Sequence, residues 1–289
     1  MLYYLTLWLR EAFDVPGFGV FQYISFRAAA AAITALLISF YFGPKIIRKL
    51  QKNQLGEQAK KELQEVGNHS LKAGTPTMGG LIVLLSLLLP TLLWANVTNM
   101  FIILIFLTTA WLGAVGFLDD YLKVVKKLPK GLIGRYKIVG QVSIGLIVGS
   151  TIYFFPDLFA EGFEEIKSLT TIPFSKNFNF DFSILYIPMV VFIITATSNA
   201  VNLTDGLDGL AIGTVGIATL AMLIITYVTG NAVYADYLNI MFIRGSGELT
   251  IFCAALLGAS LGFLWFNSYP AQVFMGDTGS LALGGALGA

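Results

Sequence analysis

Apolar residues fall into long runs separated by short polar stretches, at approximately 20–43, 79–95, 100–119, 137–155, 183–201, 209–229, 248–267 and 278–289. A membrane-crossing helix needs about 20 mostly apolar residues to span a hydrocarbon core of roughly 30 Å. The pattern predicts seven spans, and an eighth that has begun but is not complete at Ala289. The second run is short and is expected to tilt or to lie partly in the interface. Met1–Phe13 has no basic leader and reads as a short interfacial helix rather than a cleaved signal. Between the fourth and fifth runs, Phe178, Phe180 and Phe182 alternate with polar residues, the period of a strand. Ser168–Phe174 is its expected hairpin partner across the Ser175-Lys176-Asn177 turn. Gly145/Gly149, Gly209/Gly213 and Gly258/Gly262 have the spacing of close helix contacts. The fold class is therefore an all-α polytopic integral membrane protein, with one small β-hairpin near 168–182. Residues 1–289 read as a single transmembrane helical domain.

Composition sharpens this picture. Of the 289 residues, 56% are hydrophobic and 12% charged, about half the charged share of soluble domains. That excludes a disordered chain and argues against a soluble enzyme. The net charge of +1 gives no global attraction to nucleic acid. A single cysteine, Cys253, rules out an intrachain disulfide and a cysteine-based zinc site. The positive charges are unevenly spread. Lys45, Arg48, Lys49, Lys52, Lys60, Lys61 and Lys72 lie between the first two runs; Lys123, Lys126, Lys127, Lys130, Arg135 and Lys137 lie between the third and fourth. The positive-inside rule makes both loops cytoplasmic and puts the N-terminus outside. Arg27 then falls near the outer end of the first run, from which it is expected to snorkel to water.

Five acids stand at the edges of apolar runs: Asp119, Asp120, Asp205, Asp208 and Asp277. A charge in mid-bilayer costs about 2.5–3.5 kcal/mol on insertion scales, so such residues usually serve a function or are paired. Parity puts all five on the cytoplasmic side, although they come from three separate loops. Asp119 and Asp120 close a helix and oppose its dipole, so Lys123 at i+4 and i+3, or a divalent cation, should compensate them. Asn199, Asn202, Asp205 and Asp208 repeat at i,i+3 and share a face wherever the segment is helical. Asp277, Thr278 and Ser280 open the last run with good capping residues, and Thr77 is placed to cap the second. His69, in a charged loop, reads as a solvated residue. The second, sixth and eighth runs all begin at the cytoplasmic side, so three helix N-termini with unpaired N–H groups face it. Such an end suits a diphosphate. Carboxylates there suit Mg²⁺ shared with substrate phosphates, and Lys72, Lys123 and Lys137 add positive charge. The residues point to metal-assisted phosphoryl transfer at the membrane surface, with a lipid as the other substrate.

Four motifs then carry a resemblance. KAGTPTMGG from Lys72 to Gly80, Asp119-Asp120-Tyr121, NAVNLTDGLDGLA from Asn199, and FNSYPAQVFMGDTGS from Phe266 together resemble the bacterial phospho-N-acetylmuramoyl-pentapeptide-transferase family. The match runs in order from about His69 to Gly285. It implies Mg²⁺-dependent transfer of phospho-MurNAc-pentapeptide from its UDP carrier to undecaprenyl phosphate in the bacterial inner membrane, giving lipid I and UMP. It implies Asp277 as principal Mg²⁺ ligand, and Asp119 as base beside Asp120, either of which would complete the metal site. Asp205 and Asp208 would organise the cleft together with Asn199 and Asn202. Lys72, Thr75, Asn267 and Phe274 would hold the nucleotide, Phe274 by stacking on uracil, and Lys123 and Lys137 would contact phosphates. The family further implies ten spans, a later His-rich cytoplasmic loop, and a homodimer. Two alternatives remain at this point: a sibling transferase using UDP-N-acetylglucosamine, and a cation-coupled transporter. The transporter predicts acids near the midplane and a path open to both sides.

Overall fold

The computed structural model describes residues 1–13, 17–54, 75–128, 131–171 and 179–289. His69 and Lys72, and the turn at 175–177, lie outside the described residues. The helices are α1 (Leu2–Phe13), α2 (Ile24–Gln54), α3 (Gly80–Trp94), α4 (Met100–Val124), α5 (Gly134–Phe154), α6 (Tyr186–Thr204), α7 (Leu210–Thr229), α8 (Ala232–Leu238), α9 (Leu249–Asn267) and α10 (Gly276–Gly288). Among the described residues six helices are long and apolar enough to cross a membrane: α2, α4, α5, α6, α7 and α9. The second apolar run is α3, whose 15 residues fall short of a full span. α10 has 13. The hairpin is present, with β1 (Leu169–Thr171) antiparallel to β2 (Asn179–Asp181) and Leu169 opposite Asp181.

α2 runs to Gln54, past the expected end at residue 43. Hydropathy falls at Pro44-Lys45, but Ile46, Ile47 and Leu50 keep an apolar stripe at helical spacing, and Ile47 and Leu50 are buried. α8 is an unpredicted turn of helix, started by Asn231, whose side chain accepts from the N–H groups of Val233 and Tyr234.

Glycines set the helix spacing at two of the three predicted places. A methyl on Gly258 or Gly262 would meet Ala32 O at 2.2 Å or Ser39 Cβ at 2.5 Å, so α2 and α9 lie backbone to backbone, running parallel. On Gly145 or Gly149 it would meet Val191 Cα at 2.8 Å or Ile187 Cα at 3.2 Å, which fixes α5 antiparallel to α6. The third pair is not a packing motif. Gly209 adopts φ +76° in the turn before α7, and Gly213 has nothing within 4 Å. α10 inserts between α3, α4 and α6 with its own glycines. A methyl on Gly279 would meet Gly80 Cα at 2.9 Å, and one on Gly284 would meet Ser198 Cα at 2.4 Å.

Arg27 does not snorkel. It is buried and grips Glu248 with two bonds, of 2.9 and 2.6 Å, while its guanidinium lies 4.3 Å from the Tyr3 ring centre. Glu248 Oε2 also accepts from the Asn96 N–H at 2.9 Å. A partner on another element, invisible in local sequence, converts an interfacial charge into a clasp joining α1, α2, α3 and the start of α9.

Candidate active site

The opposite end of the bundle from that clasp gathers the polar junctions. The α4 C-terminus brings Asp119, Asp120 and Lys123, and the α5 N-terminus brings Lys137. The α6 C-terminus brings Asn202, and the α10 N-terminus brings Asp277. Close packing makes this convergence possible: a methyl on Gly116 would meet Asp277 O at 2.1 Å, so α4 and α10 touch through backbone.

Asp277 is the hub. Its Oδ2 takes Lys137 Nζ at 2.5 Å and Lys123 Nζ at 3.1 Å, and its Oδ1 takes Asn202 Nδ2 at 2.8 Å. Asn202 Nδ2 also reaches Ser280 Oγ at 2.8 Å. Asp119 is fully buried. It pairs with Lys123 at 2.5 Å and Lys137 at 3.1 Å, and accepts from the Leu132 N–H at 2.7 Å. Lys123 therefore compensates Asp119, as the sequence suggests, and a second lysine from α5 joins it.

Asp120 faces a different task. Its Oδ1 accepts from the Asp277 N–H at 3.1 Å; its Oδ2 accepts from the Thr278 N–H at 2.8 Å and Thr278 Oγ1 at 2.6 Å. It caps α10 from another helix. Asp205 Oδ2 takes the next N–H, that of Gly276, at 3.1 Å. The expectation of helix N-termini free for an anion is thereby overturned at α10 and α3. The α10 N–H groups are spent on Asp120 and Asp205. At α3, the Gly79 and Gly80 N–H groups donate to Phe274 O and Met275 O, both at 2.8 Å. At α7, the Gly209 N–H donates to Asn267 Oδ1 at 3.1 Å. Lys123 and Lys137 supply the positive charge beside Asp277 that an anion would meet. Gly79 holds the N-cap position of α3, so Thr77 stands two residues before it.

The remaining expected residues divide by location. α6 ends at Thr204, so Asp205 and Asp208 leave the Asn199/Asn202 face and enter the turn. Burial, with the neighbouring Asp277 and Asp120 charges, pushes the Asp205 carboxyl up to about 7 against the lowering bond from Gly276. Asp208 Oδ2 accepts from the Ala271 N–H at 3.3 Å. Asn267 is buried; besides Gly209 it holds Val273 O at 2.9 Å, so both ends of its amide brace loops. Thr75 Oγ1 donates to Ala271 O at 3.3 Å, and the Phe274 N–H donates to Pro76 O at 2.9 Å, beside the same loop. Asn199 turns from the acids to Gln141 Oε1 on α5, at 3.0 Å. Gln141 was missed by sequence reasoning, although a glutamine inside an apolar run was the available signal.

Oxygen ligand atoms of Asp119, Asp120 and Asp277 all lie within 4.8 Å of one another. An all-carboxylate donor set fits a hard divalent cation. Three carboxylates against the Lys123 and Lys137 ammonium groups leave a formal charge of about −1 before substrate arrives. Asp277 is the one carboxylate of the three that is not fully buried, which makes it the most accessible of them to an ion.

Residues 102–289 match the family described as Glycosyl transferase family 4, and residues 72–84 match phospho-N-acetylmuramoyl-pentapeptide-transferase signature 1. The chain is 53% identical to the phospho-N-acetylmuramoyl-pentapeptide-transferase of Chloroherpeton thalassium, with 99% of the chain and 76% of the relative covered. It is 50% identical to the enzyme of that name from Flavobacterium psychrophilum, covering 99% of the chain and 78% of the relative. For Parabacteroides distasonis the identity is 47%, over 99% and 75%. One cluster of three helix-end carboxylates held by two lysines, in a multi-pass membrane bundle with these relatives, identifies the chain as a member of the phospho-N-acetylmuramoyl-pentapeptide-transferase family.

Proposed function

We propose that the protein transfers phospho-MurNAc-pentapeptide from its UDP carrier to undecaprenyl phosphate, releasing UMP and forming lipid I, the first membrane-bound intermediate of peptidoglycan synthesis. The observation that carries this reading is Asp277 bound by Lys123, Lys137 and Asn202 at one end of the bundle, within reach of Asp119. In the reaction an oxygen of the lipid phosphate attacks the sugar-side phosphorus of the diphosphate. The P–O bond to UMP breaks, and its electron pair leaves on the UMP oxygen. Lys123 and Lys137 hold the diphosphate oxygens and offset their charge. Asp119 and Asp277 set where those ammonium groups stand and would ligate Mg²⁺. When bound, Mg²⁺ neutralises charge that builds on the diphosphate and its leaving group. A lipid phosphate is already ionised at neutral pH, its second pKa lying at about 6. Positioning therefore carries the step, and Asp119, buried and paired twice, serves by holding the lysines rather than by removing a proton.

The site end is the cytoplasmic end in this reading, and the N-terminus lies outside. α2 runs parallel to α9 and brings exposed Lys45, Arg48, Lys49 and Lys52 to the site end, which also carries Lys126, Lys127 and Arg135. The hairpin end carries Asp157, Glu161, Glu164 and Glu165. An apolar groove lined by Val142, Leu146, Ile187, Val191 and Phe192 runs along α5 and α6, the helices that supply Lys137 and Asn202, and suits an isoprenoid tail. The test is UMP release by the purified protein with Mg²⁺ and undecaprenyl phosphate, supplying UDP-MurNAc-pentapeptide or UDP-N-acetylglucosamine. Release with the muramyl substrate alone is expected. Release with N-acetylglucosamine alone moves the protein to the sibling reaction, and release with neither refutes the transferase reading.

A further inference from the structure

One helical turn deeper than Asp277, α5 and α6 are joined by a second polar contact. On α5, Lys137 and Gln141 are four residues apart; on α6, Asn199 and Asn202 are three apart, so each pair shares a helix face. The outer rung runs Lys137–Asp277–Asn202 through bonds of 2.5 and 2.8 Å. The inner rung is direct, Asn199 Nδ2 to Gln141 Oε1 at 3.0 Å, with Asn199 Nδ2 also held by Thr195 O at 2.7 Å. Gln141 is fully buried, and its Nε2 has no hydrogen-bond partner among the described residues. Stability alone gives no reason for an amide here. A leucine would fill the volume without the cost of an unpaired donor in an apolar bundle.

We infer that Gln141 is a positioning residue for the transfer reaction, acting through Asn199 to fix the register of α5 against α6 and so to keep Lys137 on Asp277. Beyond the rung, the described contacts between the helices are apolar and backbone ones, among them those at Gly145 and Gly149, which resist separation better than sliding. Lys137 enters from the first turn of α5, so a small slide of that helix carries the ammonium off Asp277. The inference rests on the transferase reading for its kinetic consequence, but the register claim can be measured without turnover.

The experiment compares the wild type, Gln141→Leu, and the swapped double variant Gln141→Asn with Asn199→Gln, which restores the summed reach of the pair. The first readout is acylation of Lys137 by an amine-reactive ester, followed by peptide mass spectrometry with exposed Lys126 as internal reference. The second is kcat and KM for the nucleotide sugar, and the third is the thermal midpoint. Gln141→Leu is expected to melt no lower than wild type, to label Lys137 several-fold faster, and to lose turnover about ten- to hundredfold, as misplacement by an ångström does. The swap is expected to recover both labelling and kcat. Unchanged Lys137 labelling in Gln141→Leu overturns the inference whatever the activity. So does a loss of kcat that follows a lowered midpoint and is not recovered by the swap. If the wild type releases no UMP but the labelling behaves as expected, the transferase reading fails and the register role stands.

Discussion

Replacing Asp120 by asparagine keeps the shape of the side chain and removes one acceptor and the charge. The native carboxylate accepts three bonds from the first turn of α10, from the Asp277 N–H, the Thr278 N–H and Thr278 Oγ1, and it is 4% exposed. Asparagine can keep the two Thr278 donors on its one oxygen. Its NH₂ group then faces the Asp277 N–H, donor against donor. Bonds to a charged group contribute about 1.5–3 kcal/mol each, and a buried donor left unpaired costs about 1–3 kcal/mol. Relief of the buried charge returns part of this, so the net loss is about 2–4 kcal/mol. At about 2 °C per kcal/mol for a chain this long, the thermal midpoint falls by about 4–8 °C. Because Asp277 heads the same turn, turnover falls as well. The assay is a fluorescence melt in detergent beside UMP release on the same preparation. A variant that melts with the wild type would refute the capping role. One that melts normally but has lost activity would return Asp120 to direct contact with the reaction.

Glu248→Gln strands the buried Arg27 guanidinium and is expected to cost about 3–5 kcal/mol; a melt unchanged from wild type would mean that Arg27 reaches water after all. Asp205→Asn tests burial of a carboxyl near Gly276. With its pKa raised to about 7, the folded state holds a proton that the unfolded chain releases near 4, so wild-type stability is lost as pH rises from about 4 to 7. The thermal midpoint of Asp205→Asn relative to wild type should therefore climb between pH 5 and pH 7 and then level; a difference independent of pH would contradict the assignment. Gly116→Ala drives a methyl to 2.1 Å from Asp277 O and should depress both melting temperature and UMP release, whereas Gly213→Ala, with open space around it, should be silent in both.

Helices that reach the membrane could be read from the chain because apolar length is a local property, as at α4, α7 and α9. The hairpin pairing was legible for the same reason, since alternation of Phe180 and Phe182 with polar neighbours needs no tertiary knowledge. That the acids gather at one end of the bundle followed from the parity of spans. What each polar side chain touches did not. Asp120 and Asp277 look alike in sequence, yet one spends its oxygens on a neighbouring helix end and the other meets two lysines. Asn199 and Asn202 share a helix face, but one turn of depth sends the first to Gln141 and the second to Asp277. The N-termini of α3 and α10 looked like anion sites because the carboxylates and carbonyls that consume their N–H groups come from distant segments. Arg27 looked interfacial because Glu248 lies 221 residues away.

The central claim is that Asp277, with Asp119 and two lysines, forms the Mg²⁺-dependent transfer site. Its most direct test is the Mg²⁺ dependence of UMP release from UDP-MurNAc-pentapeptide, measured for the wild type and for Asp277→Asn. The wild type should saturate with Mg²⁺ and fall silent with chelator. Asp277→Asn should show no Mg²⁺-dependent release at any concentration. Normal release by Asp277→Asn, at the wild-type Mg²⁺ requirement, would remove Asp277 from the metal site and contradict the account.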